Sequence, residues 1–186
     1  MAVGTRRRDA WDRLPREEAE ALQMRKLRRF LSRQVLPFSP YYRKLLGEHG
    51  VRPESLRTPD DLAKIPFTTK DDIAPTADEP NRPREIFLQP TEELIRGHWP
   101  LLAKLPLLAV RLSRGQDAVR ERLAREYRPV SVFFTTGRSS LPTAFLLSRY
   151  DLDILEEVGR RIAIVSGMDV QNDKIVSVFP YAPHLA

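Results

Sequence analysis

Residues 135–143 read Thr-Thr-Gly-Arg-Ser-Ser-Leu-Pro-Thr and separate two apolar runs, Val130-Ser-Val-Phe-Phe134 and Ala144-Phe-Leu-Leu147. Both runs are short and apolar, the first rich in valine and phenylalanine, and read as strands. A tight hairpin takes about two to five loop residues, commonly Asn-Gly or Gly-X. The connection here is longer and full of hydroxyls and backbone N–H groups. Two readings fit it. One is a polar surface loop in which Gly137 and Pro142 are ordinary turn residues. The other is an anion cradle, with amides and hydroxyls converging and glycine allowing a phosphate to come close. Neither G-x-x-x-x-G-K-[ST] nor G-x-G-x-x-G occurs in the chain, which excludes the two most familiar phosphate devices.

Downstream of the loop, Ala144–Ser148 is a second strand, and Asp151 is expected to cap a helix running to about Val165. Leu152, Leu155, Ile162 and Val165 share one side of it, and Gly167 closes it. Lys174–Phe179 reads as a third strand. Three strands with one helix make an unfinished layer. Its apolar face and unpaired edge favour self-association.

Upstream the pattern is helical. From Arg16 to about Val35, Leu27, Phe30, Leu31 and Val35 form a stripe opposite Arg25, Lys26, Arg28, Arg29 and Arg33, with Pro37 and Pro40 as the stop. A helix from Tyr41 to His49 ends at Gly50. Thr58-Pro-Asp-Asp opens another, with Thr58 and Asp61 as a capping box, and Thr68-Thr-Lys-Asp-Asp repeats the device. The proline-dense residues 74–90 read as a surface connector. Two helices, Thr91–Trp99 and Leu101–Leu112, flank Pro100, with Pro106 opening or kinking the second. Gln116–Tyr127 is an amphipathic helix of alternating charge. The expected fold is α/β (α+β): a helical N-terminal region at 1–83, a helical insert at 84–128, and the start of a β/α subdomain at 129–186.

Composition narrows the function. The 186 residues suffice for one domain, or one with an appendage, and 41% are hydrophobic, enough for a core. Without cysteine there is no disulfide, no thiolate metal site and no cysteine nucleophile. His49, His98 and His184 lie far apart, without metal-ligand spacing. The charged N-terminus lacks a leader's apolar segment. Leu101–Leu112, interrupted by Lys104 and Pro106, is too short to cross a bilayer. These features predict a soluble, cytoplasmic protein. The net charge is +6, and residues 1–33 hold ten Lys/Arg against five Asp/Glu, so most of the excess lies at the front. A solvated arginine-rich helix face accounts for it. A non-catalytic basic module binding nucleic acid or protein is the alternative, though no zinc finger, RNA-binding aromatic signature or basic zipper accompanies the charge.

Three ordered blocks resemble the N-terminal region of phenylacetate–CoA ligases, members of the adenylate-forming (AMP-binding) enzymes. The first is Ser39-Pro-Tyr-Tyr-Arg-Lys-Leu-Leu46 with Gly50-Val-Arg-Pro53. The second is Thr58-Pro-Asp-Asp-Leu-Ala-Lys-Ile-Pro-Phe-Thr-Thr-Lys-Asp-Asp-Ile73. The third is the hydroxyl loop with the tail Val176-Ser-Val-Phe-Pro-Tyr-Ala-Pro-His184. The loop is similar to that family's phosphate signature, T-S-G-T-T-G-x-P-T. Aligned on Pro142-Thr143, Thr135, Thr136 and Gly137 match its start, and Ser139 takes the place of a threonine hydroxyl. Arg138 then replaces a small hydroxyl residue and Ser140 replaces the second glycine. A second register keeps Thr135-Thr136-Gly137-Arg138 as the core and lengthens the loop by three residues.

The resemblance implies the first strands and helix of an adenylate-forming N-terminal domain. It also implies an acid–thiol ligase reaction that uses ATP, Mg²⁺ and coenzyme A to turn a carboxylic acid into an acyl-adenylate and then a thioester. Thr135, Thr136, Gly137, Arg138, Ser139 and Ser140 would bind the nucleotide phosphates, while Tyr181 and His184 would border the acid pocket. Tyr41, Tyr42 and Lys70 would be packing and surface groups. The family's aromatic-Gly-x-Thr-Glu motif, ribose-binding aspartate and C-terminal lysine have no counterpart in these residues. The expectation is therefore an N-terminal fragment with no catalytic residue or metal ligand of its own, inactive alone.

Overall fold

The computed structural model describes residues 14–135, 143–169, 171–174, 176 and 184–185. The chain divides into two compact units, Met1–Leu105 and Pro106–Ala186. It is mainly helical, with one small sheet.

In the first unit, α1 spans Arg16–Phe30 and continues without a break through a π-helical turn, Leu31–Val35, into a short helix, Leu36–Phe38 (α2). The helical path thus passes Pro37, where the sequence suggests a stop. The π-turn takes more residues per turn than an α-helix, and Leu31 and Val35, four apart, are both buried within it. The register is α-helical again by Ser39, whose N–H donates to the Val35 carbonyl at 2.8 Å. In that register Pro37 has no N–H for the Arg33 carbonyl, and the Trp99 indole N–H donates to that oxygen instead, at 2.7 Å.

Ser39 caps α3, Pro40–Glu48, and Pro40 occupies the first turn, where a missing N–H costs nothing. The helix ends at Gly50, whose φ of 63° suits glycine. Two 3₁₀ turns follow, Pro53–Ser55 and Pro59–Lys64, then α4 at Lys70–Ile73. Both expected capping boxes form. Asp61 accepts from the Thr58 N–H at 2.8 Å, and Asp72 accepts from the Thr69 hydroxyl at 2.6 Å. The connector at 74–90 holds a short helix, Arg82–Ile86 (α5), and docks onto the unit. The Ser39 hydroxyl donates to the Glu85 carbonyl at 2.9 Å, and Leu88 packs on the core. Thr91 caps Glu92–His98 (α6).

The core of this unit gathers Met24, Leu31, Val35, Leu46, Val51 and Leu56, flanked by Leu27, Leu36, Tyr42, Ile65 and Leu88. Leu46 and Leu56 are 1% and 0% exposed, a degree of burial that stabilises by about 1.5–3 kcal/mol per side chain. The sequence stripe is right at Leu27, Leu31 and Val35. Phe30, also in that stripe, lies 44% exposed. Phe38, fully buried, meets Trp99 with ring centroids 5.3 Å apart.

Leu101–Tyr127 (α7) is helical through Pro106 but broken at Gly115, where φ 84° and ψ −179° are not helical. The two expected helices, ending at Leu112 and starting at Gln116, are thus separated by glycine. In the second unit β1, Pro129–Thr135, pairs antiparallel with β2, Ala144–Ser148. Helix α8, Arg149–Val165, follows β2 directly. Its cap is Ser148, which corrects the expectation of Asp151. Asp151 is the third helical residue, whose carboxylate reaches back to the Ser148 N–H at 2.7 Å. Gly167, at φ 69°, closes the helix as expected. Strand β3 is His184–Leu185, parallel to β1, giving the order β2-β1-β3. Lys174 and Val176, in the stretch expected as a third strand, carry no strand assignment, and 175 and 177–179 lie outside the described residues.

Candidate functional site

The hydroxyl-rich loop joins neighbouring strand ends. Phe134 of β1 and Ala144 of β2 are Cα partners, so the chain leaves β1 at Thr135 and re-enters β2 from Thr143 on the same edge of the hairpin. Thr136, Gly137, Arg138, Ser139 and Ser140 lie outside the described residues, as does Tyr181. Thr135 is the last residue of β1 and the Cα partner of Leu185, while His184 is the partner of Phe134. The backbones of two expected site residues, Thr135 and His184, therefore occupy adjacent strands one register position apart. One element accounts for this: β1, whose antiparallel partner carries the loop's exit and whose parallel partner carries His184.

The other end of the hairpin is fixed by side chains. Ser148, 5% exposed, donates its hydroxyl to Asp151 Oδ2 at 2.8 Å and accepts the Asp151 N–H at 3.3 Å, locking the turn from β2 into α8. Arg125 Nη2 donates to Asp153 Oδ2 at 2.6 Å, with Arg149 3.5 Å from the other carboxylate oxygen. The Arg125 hydrogen bond holds the Asp153 carboxyl below its ordinary range. The link ties the end of α7 to the start of α8. Just before β1, burial raises the Glu126 carboxyl above its ordinary value, and raises the Tyr127 hydroxyl as well. A raised carboxyl is a common mark of a general acid or base. Seven strand residues at about 3.3 Å each place the start of β1 roughly 20 Å from Thr135, too far for Glu126 to serve the loop.

The upstream motif residues are structural in the described geometry. Tyr41 and Tyr42 meet edge to face, with centroids 5.1 Å apart, and Tyr42 packs on the core. Arg43 Nη2 donates to the Pro37 carbonyl at 3.4 Å. Thr69 and Asp72 close a helix end and Lys70 is exposed. What the sequence reading missed is Trp99, because its partner is a carbonyl left unserved by a proline 62 positions earlier in the chain, at Pro37.

No family model matches this chain. Several curated proteins do. A phenylacetate–coenzyme A ligase of Thermus thermophilus is 41% identical over 85 residues, which is 46% of this chain and 18% of that protein. One of Aromatoleum evansii is 34% identical over 87 residues, 47% of this chain and 18% of the relative. One of Pseudomonas putida is 41% identical over 59 residues, 32% of this chain and 12% of the relative. The match thus spans under a fifth of the length of these relatives. Within those bounds, the chain carries a region similar to the N-terminal region of phenylacetate–CoA ligases.

Proposed function

We propose that this ligase-like region serves an ATP-dependent acid–coenzyme A ligase, with residues 135–140 holding the polyphosphate of ATP. The observation that carries the reading is the 41% identity to a phenylacetate–coenzyme A ligase over 85 residues. The hairpin supports it by delivering Thr135 and Thr143 to one edge.

A carboxylate is a poor electrophile because its oxygen is a poor leaving group. Attack of the carboxylate on the α-phosphate of ATP forms a carbon–oxygen–phosphorus bridge and releases pyrophosphate. The thiol of coenzyme A then attacks the acyl carbon, and AMP leaves. The first step gathers negative charge on the departing pyrophosphate, so preorganised donors there lower the barrier. Thr135, Thr136, Ser139 and Ser140 supply hydroxyl donors, Gly137 gives room for close approach, and Arg138 adds a cation. Magnesium neutralises phosphate charge when bound. Among the described residues no three His, Asp or Glu side chains gather into a metal site, so the ion would arrive with the nucleotide. Tyr181 and His184 would border the acid.

Exchange of labelled pyrophosphate into ATP, dependent on a carboxylic acid, tests the reading. The 186-residue polypeptide assayed alone is expected to show no acid-dependent AMP formation. Fused to the remaining length of a matching ligase, it should support exchange. Gly137→Val in that fusion should cut exchange at least about 100-fold, the scale on which loss of one preorganised donor acts. Undiminished exchange by Gly137→Val refutes the assignment of the loop.

A further inference from the structure

An arginine-lined cleft lies in the helical unit. Arg28 and Arg29 on the last turn of α1, Ser32 in the π-turn, and Glu54 and Arg57 beside the 3₁₀ turns line an open cleft of about 520 Å³. We propose that this cleft binds an oligophosphate, either free or as the tail of a nucleotide, at a site separate from the 135–143 loop.

The charge balance favours it. Among the described residues three guanidinium groups face one carboxylate, and Glu54 lies within ion-pair distance of none of them. Arg29 and Arg57 have no side-chain hydrogen bond or ion pair among the described residues. Some arginines elsewhere take nearby carboxylates, as Arg16 does with Glu20 at 2.7 Å and Arg161 with Glu157 at 2.8 Å; what sets the cleft apart is that its arginines converge on one space. Holding three cations around one cleft without such partners raises their mutual repulsion, which a bound polyanion relieves.

The geometry is built rather than incidental. Arg28 Nη1 donates to the Leu56 carbonyl at 2.7 Å, and Leu56 is fully buried, so the core fixes this guanidinium. Its remaining N–H groups keep the fork that matches two phosphate oxygens. The helical path continues from Leu31 to Phe38, so these arginines are not compensating the free carbonyls of a helix end. The volume falls within the range of small-ligand clefts. Among the described residues no aromatic side chain lines it, which disfavours single-stranded nucleic acid, whose bases stack on such rings.

Titration calorimetry of the 186-residue chain with inorganic tripolyphosphate, and in parallel with ATP, tests the proposal at low salt. Arg29→Gln/Arg57→Gln should weaken the cleft's binding event at least about tenfold, the scale of a lost charge-assisted hydrogen bond. Arg25→Gln/Lys26→Gln removes the same charge from exposed positions of the same helix and should change it less than about twofold. Gly137→Val should leave the event intact, which separates the cleft from the loop whether or not the loop binds. Tighter binding of ATP than of tripolyphosphate would identify a nucleotide, and equal binding the phosphate chain alone. Equal weakening by both double variants would mean diffuse charge attraction and overturn the site. So would unchanged binding by Arg29→Gln/Arg57→Gln, or the absence of any tripolyphosphate or ATP binding event outside the loop.

Discussion

Trp99→Phe isolates one hydrogen bond on which the helical unit depends. The indole N–H of Trp99 serves the Arg33 carbonyl at 2.7 Å, an oxygen that Pro37 cannot serve. Phenylalanine keeps a ring near Phe38, where the centroids now lie 5.3 Å apart, and removes only the donor. Leaving a buried acceptor without a partner costs about 1–3 kcal/mol. Arg33 is half-buried, so water recovers part of that, and about 1 kcal/mol is expected. Trp99→Ala also removes the ring contact. A fully buried Trp would lose about 3–5 kcal/mol, and the half-buried Trp99 correspondingly less, about 2–3 kcal/mol. Urea unfolding followed by far-ultraviolet circular dichroism gives both values. The deciding comparison adds Pro37→Ala, which restores an N–H at residue 37. In that background Trp99→Phe should cost less than half as much, because the carbonyl has a local donor again. Equal costs in both backgrounds would refute the reasoning that Trp99 replaces the proline's missing donor.

Three further outcomes are expected. Gly115→Ala should destabilise by about 1–3 kcal/mol, because φ 84° with ψ −179° is a region L-residues avoid, while a Cβ there meets nothing within 4 Å. A gain in stability together with helical signal would show that the fold does not enforce the break. Ser148→Ala should cost about 1 kcal/mol through loss of the α8 cap, and Ser148→Thr should cost less, both read from thermal melts. Stability should also fall with acid. The Arg160 and then the Arg161 hydrogen bonds lower the Glu157 carboxyl from 4.5 to about 2, and the Thr69 hydroxyl lowers Asp72. A carboxyl depressed in the folded state stabilises above its unfolded value and loses that contribution as pH falls. The urea midpoint should therefore hold above about pH 5 and decline between about 4.5 and 2, less steeply for Glu157→Gln. A flat profile there would count against these hydrogen bonds to the two carboxylates.

The local signals were legible because they act over three or four residues. Thr58 with Asp61, Thr69 with Asp72, and the glycines at 50 and 167 mark helix ends through side-chain bonds or φ values that need no distant partner. The errors have equally local causes. Asp151 looked like a cap because its carboxylate does bond the helix start, but from the third helical position, with Ser148 as the cap itself. Pro37 looked like a stop because its missing N–H is normally costly within a helix. Of the proposed phosphate site, the sequence supplied the residue types, and the described backbone adds that Thr135 and His184 lie on adjacent strands.

The order of residues alone decided most helix ends, that 130–134 and 144–148 are strands, and that the segment between them is rich in hydroxyls. Only the tertiary structure decided which backbone groups lost to proline are served from afar, as Arg33 is by Trp99. It also decided which arginines share a cleft in excess of its one carboxylate, as Arg28, Arg29 and Arg57 do beside Glu54. Caps and turns depend on groups a few bonds apart along the chain. Hydrogen-bond substitution and charge crowding depend on distances that packing alone sets.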